Sequence, residues 1–334
     1  MILKLIRHFR SFELNKEYLS CDIIEYGFDA QTDAINLCCR ISGDSLGETF
    51  KLIPDYHGEK IDWNDFFEKK QKIRDIHKQG EIFKPCTGCL YLREESWDDE
   101  KCIKTVNINN WIKCNADCVY CNRSSLKNIK EYKIFPVFKD MIEKNLLKKG
   151  GPITISGGEP TVIREFDKLL NLFLKNNLTN IKVLTNAIKY NKTIERGLKN
   201  GNVNILVSTD SGTKETYKKI KRINKHYQVW KNIKKYAETS KYPELVKTKF
   251  IIIPGLNDNK NELFEFIKQN SINSIKYTEL DLEISWFYSH REDKTNFEAI
   301  YELYQFARQK AQEASIILEA KDRMLLLLQD LNKD

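Results

Sequence analysis

Cysteine is missing from the chain after position 121, although the first 121 residues hold nine. Glycine and proline are scarce, at 14 and 7 of 334 residues, and no segment has the composition of a disordered one. No run of 18 apolar residues occurs, which excludes a membrane-spanning helix by hydropathy. The first residues, MILKLIRHFRSFELNKEYLS, are interrupted by Lys4, Arg7 and Arg10 and lack the apolar core of a signal peptide. A cytoplasmic chain with no membrane partner is expected. Without export signals, and with enough residues to bury a core, a disulfide framework is a poor account of the cysteines.

The formal charge is +8, from 55 Lys and Arg against 47 Asp and Glu. It is spread over many lysines, with no arginine-rich patch or recognition motif. It therefore reads as a solvated surface, and no nucleic-acid partner is expected. The same surplus would help dock an acidic electron donor.

From about residue 104 to 290, apolar β-branched runs alternate with amphipathic lysine-rich stretches. The runs are KTVNINN (104–110), GPITIS (151–156), NIKVLTN (180–186), NILVSTD (204–210), KTKFIIIPG (247–255) and YTELDLEISW (277–286). Six strands separated by helices predict an α/β fold with a parallel sheet. KIFPVFKDMIEKNLLKKG (133–150) and EFDKLLNLFLKNNL (165–178) carry the helical period and would cover its outside. Three regions follow: a cysteine-rich N-terminal module over 1–103, the βα unit over 104–290, and a mainly helical extension over 291–334. In the extension a helix is expected after a cap at Asn296, and IILEA (316–320) could add a short strand.

In CNADCVYC the thiols of Cys114, Cys118 and Cys121 are spaced C-x3-C-x2-C directly after the first strand-like run. Three thiolates on one loop can hold three irons of a cuboidal four-iron cluster and leave the fourth open to a small molecule. Zinc is the competing reading, but it takes four ligands in spaced pairs, and the loop contains no His.

This spacing, with aromatic Tyr120 before the last thiol, resembles the radical S-adenosylmethionine (radical SAM) superfamily. ISGGEPT (155–161), VSTDSG (207–212) and IIIPGLND (251–258) follow in the order in which that family keeps its cofactor contacts. The resemblance implies a partial (β/α)6 TIM-type barrel, a catalytic 4Fe-4S cluster on Cys114, Cys118 and Cys121, and S-adenosyl-L-methionine as cofactor. It implies that Tyr120 and the segment Gly157, Gly158, Glu159 and Pro160 bind the cofactor, the latter at its methionine amino group. Ser208 and Asp210, on one side of a strand end, can meet ribose hydroxyls, as the corresponding positions do in the family; a helix-capping strand end is the bland alternative. Arg222 resembles the arginine that meets the cofactor carboxylate, although a surface cation fits the residues equally. A flavodoxin- or ferredoxin-like electron donor is also implied.

Six cysteines remain. Cys86 and Cys89, across a Thr-Gly turn, are the strongest pair for a second, auxiliary cluster. Of the adjacent Cys38 and Cys39 only one would ligate, because neighbours in an extended segment face opposite ways. Cys21 and Cys102 are interchangeable as the fourth ligand. The region is similar to the SPASM and twitch auxiliary-cluster extensions of the family, but those usually follow the barrel. A zinc knuckle or buried free thiols are the alternatives.

The chain is thus expected to be a radical SAM enzyme that abstracts hydrogen from a peptide or sugar-like substrate. The alternative is a noncatalytic iron-sulfur or zinc-binding scaffold. Strand YTELDLEISW would set Leu280, Leu282 and Ile284 on one face and Glu279, Asp281, Glu283 and Ser285 on the other. If that acidic face lined the cavity, it would favour an amine-bearing substrate.

Overall fold

Isoleucine- and valine-rich runs fold as strands and the lysine-rich stretches between them as helices, in alternation along most of the chain. The computed structural model describes residues 17–38, 50–89, 91–121, 131–290 and 294–331. Cys39 lies outside the described residues.

The chain opens with β1 (Tyr18–Ser20), a short helix α1 (Asp22–Tyr26) and β2 (Gly27–Ala30). Then β3 (Ile35–Asn36) and β4 (Lys51–Ile53) turn back antiparallel beside β2. Helix α2 (Trp63–Lys78) follows, and β5 (Arg93–Glu95) returns to pair with β1 in a separate two-stranded ribbon. The βα alternation runs through β6 (Thr105–Ile108), α3 (Phe135–Glu143), β7 (Ile153–Ile155), α4 (Phe166–Lys175), β8 (Ile181–Thr185) and α5 (Lys192–Asn200). It continues with β9 (Val203–Ser208), α6 (Lys214–Lys221), α7 (His226–Thr239), β10 (Val246–Ile252), α8 (Lys260–Ile272) and β11 (Tyr277–Leu282). The last elements are α9 (Ile284–His290), α10 (Lys294–Glu313), β12 (Ile317–Ala320) and α11 (Asp322–Leu331).

Among the described residues the central sheet has ten strands in the order β12-β11-β10-β9-β8-β7-β6-β2-β3-β4. Every neighbouring pair from β12 to β2 is parallel. The order is linear, so this partial barrel does not close. All six expected strands are present in sequence order, and two more parallel strands flank them. One is β12, from the IILEA run. The other is β2, from the N-terminal stretch, whose residues lack a repeat that would mark it.

Alternation along the strands separates two faces. Ile181, Val183, Val203, Ile205, Val246, Phe250 and Leu280 are buried under the helices, while Thr154, Lys182, Asn204 and Lys249 on the other face keep some exposure. Local capping sets the helix starts: Asn191 Oδ1 accepts from the Thr193 and Ile194 amides at 2.8 and 3.0 Å before α5.

Three expected boundaries move. The strand expected over 277–286 ends at Leu282, so Ile284 and Ser285 lie on α9. Glu283 ends the strand because its carboxylate accepts from the Ser285 and Trp286 amides, capping that helix. Helix α3 stops at Glu143, well before the glycine pair, since Asn145 takes a φ of 54°. Helix α10 begins at Lys294, ahead of Asn296.

The N-terminal stretch is tied into the sheet. Strand β2 pairs with β6 from Gly27↔Thr105 to Ala30↔Ile108. Phe28 packs 5.9 Å from both the Phe66 and the Phe138 rings, and the Trp63 indole N–H donates to Asp140 at 2.6 Å. Residues on both sides of position 103 therefore share one sheet and one apolar core. Among the described residues no helix is long and apolar enough to cross a membrane.

Candidate active site

The thiol loop leaves the C-terminal end of β6, the end of a parallel sheet where connecting loops gather. It is clamped from two sides. On one side the Gly158 N–H donates to Trp111 O at 2.7 Å and the Glu159 N–H to Lys113 O at 2.8 Å. On the other, the Asp117 and Val119 amides donate to the carbonyls of Lys221 and Ile220 at the end of α6, at 3.3 and 2.9 Å. The Glu131 carboxylate takes the Ile112 and Lys113 amides.

Within the loop Cys114 is exposed, and Cys118 and Cys121 are partly buried. The Cys121 amide donates to Cys118 O at 3.1 Å, a turn that keeps those two residues together. Asn186 Nδ2 donates to Asn115 Oδ1 at 2.7 Å and reaches Cys114 Sγ at 3.8 Å. Burial raises the Cys114 and Cys118 thiols above the usual value, so binding iron must release their protons. Among the described residues no three His, Cys, Asp or Glu side chains are gathered to hold a single metal ion. Three soft thiols on a partly exposed loop match the donor set of a cuboidal iron-sulfur cluster, which spreads its ligands over separate corners.

The glycines of the SGGEP segment serve backbone contact inside the protein. A Cβ on Gly158 would sit 2.2 Å from Lys113 O, and one on Gly157, at φ +111°, would sit 2.8 Å from Trp111 O. Glu159 is buried, and its carboxylate accepts from Thr161 N, Thr161 Oγ1, Thr185 Oγ1 and Asn186 N at 2.6–3.1 Å. Burial pushes its carboxyl pKa up, against these bonds. Pro160 begins the tight turn that follows.

Asp210 is fully buried just past β9, at φ 54°. Its carboxylate accepts from the Tyr120 hydroxyl at 2.5 Å, from the Ile251 amide at 2.9 Å and from Lys221 Nζ. Burial works against the Lys221 charge, but the adjacent Asp210 carboxylate together with the Cys118 and Cys114 thiols holds the ammonium pKa above its usual value. The Tyr120 hydroxyl is raised well above normal by burial and by Asp210. Ser208, partly exposed, closes β9 on the inner face. Arg222 is exposed and pairs with Asp117 of the thiol loop at 3.1 Å.

Sequence reasoning passed over Lys221, Asn186 and Thr185. The signal for Lys221 was present: Tyr217, Ile220 and Lys221 recur at helical spacing on the buried face of α6, and Arg222 lies beyond that face. Beside the loop a cavity of about 750 Å³ is lined by Tyr120, Ile251, Leu282, Tyr288 and Arg323, among others.

The remaining thiols divide. Cys21 caps α1, Cys38 follows β3, and Cys86 and Cys89 flank one turn in which the Cys89 amide donates to Cys86 O at 3.1 Å. Four contacts draw these segments together. His77 bridges Leu19 O and the Phe83 amide at 2.6 and 3.3 Å. The Phe83 ring lies 4.9 Å from Phe50, whose carbonyl takes the Leu37 amide. Burial, and then the Cys21, Cys89 and Cys38 thiols, push Cys86 up to about 12. Cys102 lies apart, in an apolar pocket with Tyr18, Tyr26 and Trp97.

Residues 111–267 match the family model of the Radical SAM superfamily. This match, which takes in the thiol loop, marks residues 111–267 as a radical SAM domain. Such a domain implies a 4Fe-4S cluster and S-adenosylmethionine.

The chain is similar to GTP 3',8-cyclase of Clostridium botulinum (strain Okra / Type B1), 29% identical over 175 residues, covering 50% of this chain and 53% of that one. It is also similar to the probable GTP 3',8-cyclase of Methanocaldococcus jannaschii, 27% identical over 190 residues, covering 56% and 63%. The chain thus spans about half the length of the first of these curated relatives. Among solved structures it resembles Streptococcus suis SuiB bound to precursor peptide SuiA, with a TM-score of 0.53, 13% identity and coverage of 86% of this chain and 60% of that chain. SuiB bound to S-adenosylmethionine gives a TM-score of 0.51 at 13% identity, covering 77% and 56%. At such identity the likeness is one of fold.

Proposed function

We propose that this chain reductively cleaves S-adenosylmethionine and abstracts hydrogen from a peptide or sugar-like substrate. The observation that carries the proposal is the thiol loop of Cys114, Cys118 and Cys121, clamped between the Gly157–Glu159 segment and α6 at the mouth of the parallel sheet. Cys114, Cys118 and Cys121 would hold a four-iron cluster, which would supply the electron that splits the cofactor's sulfonium.

The protein's residues position and shield. Glu159, saturated by internal donors, fixes the strand-end loop whose backbone faces the cofactor's methionine end. The buried Asp210–Lys221 pair fixes Tyr120, and with it the last turn of the thiol loop. We assign Ser208, on the inner face, to the ribose and Arg222, beside the loop, to the cofactor carboxylate. The cavity walls of Tyr120, Ile251, Leu282 and Tyr288 offer apolar surface that suits a purine.

A second cluster is held by Cys21, Cys38, Cys86 and Cys89, four thiols from segments the fold draws together, with Cys102 left in its apolar pocket. Its role is to anchor the substrate or to take back an electron. The electron donor is an acidic flavodoxin- or ferredoxin-like protein, complementary to the surplus charge of +8. Thiolate-held clusters suit the reducing cytoplasm.

The test is anaerobic reconstitution with S-adenosylmethionine and a reductant, followed by measurement of 5'-deoxyadenosine and iron. Replacing Cys114, Cys118 and Cys121 together with Ala should abolish 5'-deoxyadenosine, and undiminished product would refute the reading. Replacing Cys86 and Cys89 should lower iron from about eight to about four per chain while substrate-free cleavage persists. Wild-type protein that yields no 5'-deoxyadenosine would point to the noncatalytic scaffold.

A further inference from the structure

The inner face of the sheet carries a network of charges that the cluster and cofactor contacts do not use. Lys182 on β8 pairs with Glu279 on β11 at 3.5 Å, although β9 and β10 separate their strands in the sheet. That pair therefore spans the concave side. On β10, Thr248 and Phe250 pack outward on Asn270 and Phe266 of α8, which turns the alternate residues Lys247 and Lys249 inward.

Each carboxylate in this network sits between two cations. Glu279 meets Lys182 and Lys321, at 3.5 and 3.7 Å. Asp281 meets Lys249 at 3.4 Å and also Arg323. Glu319 meets Lys247 and Lys321, at 3.0 and 3.1 Å. The described pairs thus join five cations to three carboxylates. Glu279 and Asp281 are 5% and 2% exposed, whereas Lys182 and Lys321 are 34% and 36% exposed. The acids lie underneath and the ammonium groups face the concavity. The acidic strand face expected to favour an amine is therefore paired with cations from β8, β10 and the C-terminal segment. Asp29, on β2 at the far side of the sheet, is held by the Gln31 and Asn107 amides.

We propose that this network recognises a phosphate group on the substrate. The inference rests on the reading above that the concave face receives the substrate. A phosphate monoester carries roughly −1.5 to −2 at neutral pH, about twice the charge of a single carboxylate, and so gains more from a cluster of cations. Lysine ammonium groups also suit phosphate, which they meet as mobile point charges. Of the two substrate classes, this favours a phosphorylated sugar-like molecule.

The test is calorimetric titration of the anaerobic holoenzyme with inorganic phosphate and with acetate. Phosphate should bind at least about tenfold more tightly than acetate and should weaken as sodium chloride is raised. The double variant Lys182→Gln/Lys249→Gln should lose at least about tenfold in phosphate affinity, and Lys182→Arg/Lys249→Arg should retain it. Unchanged affinity in the Gln variant, acetate binding equal to phosphate, or salt-independent binding would each overturn the proposal. The wild-type titrations decide it even if the Gln variant does not fold. They require no cofactor cleavage, so absence of 5'-deoxyadenosine would overturn the catalytic reading and leave the phosphate site standing.

Discussion

Individual side chains were legible where their chemistry is rare and obscure where it depends on burial. Three cysteines at fixed spacing mark the thiol loop from the sequence alone, because thiols are costly to place together without a use. Lys221 and Arg222 are adjacent cations in a lysine-rich chain, and only the face of α6 decides which is buried against Asp210. Asp29 is another such case. Burial raises its carboxyl to about 6, although the Asn107 and Gln31 amides oppose the shift. A carboxyl raised in the fold holds its proton more tightly there, so its favourable contribution is complete below its unfolded value near 3.8 and is lost as pH rises through about 6. Asp29→Asn removes that loss. In urea denaturation the variant should be more stable than wild type at pH 8, by up to about 3 kcal/mol, with the gain shrinking toward pH 4. An equal difference at both pH values would show that Asp29 ionises normally in the folded protein.

At the scale of elements, period and propensity located the six inner strands, since continuous Ile and Val runs between amphipathic helices have few other solutions. They did not locate β2, whose GFDA residues carry no β-branched run and become a strand only because β6 offers a parallel edge. Nor did they show that the two glycines of SGGEP are spent on backbone contact with the thiol loop. A Gly158→Ala variant tests that contact. Its new methyl would meet the Ile112 and Lys113 backbone at 2.2–2.7 Å, where no flexible side chain can yield. The loop must shift, at a cost of about 1–3 kcal/mol. The melting temperature should fall, and the iron bound after reconstitution should fall with it. Full iron and unchanged melting would mean that this segment does not hold the thiol loop in place.

At the scale of the whole molecule, the sequence divides at residue 103 by cysteine content, whereas hydrogen bonding runs across that position. Composition cannot show this, because pairing between β2 and β6 is a long-range contact with no local signature. The division makes a physical claim that deletion can test. Removing residues 1–103 would strip β2 from β6, leaving a row of unpaired backbone groups along a strand with Val106 and Ile108 in its core. It would also take Phe28, Trp63 and Phe66 from the Phe138 side of α3, uncovering several large apolar side chains at once. Each lost aromatic contact of this kind costs about 3–5 kcal/mol when truncated to Ala, and a domain's net stability is only about 5–15 kcal/mol. The expected outcome is that residues 104–334 expressed alone aggregate, or expose enough apolar surface to bind a hydrophobic dye, even when iron and sulfide are supplied. A soluble, monomeric fragment that melts cooperatively and binds about four irons would instead show that the barrel folds by itself, with the N-terminal stretch a detachable module.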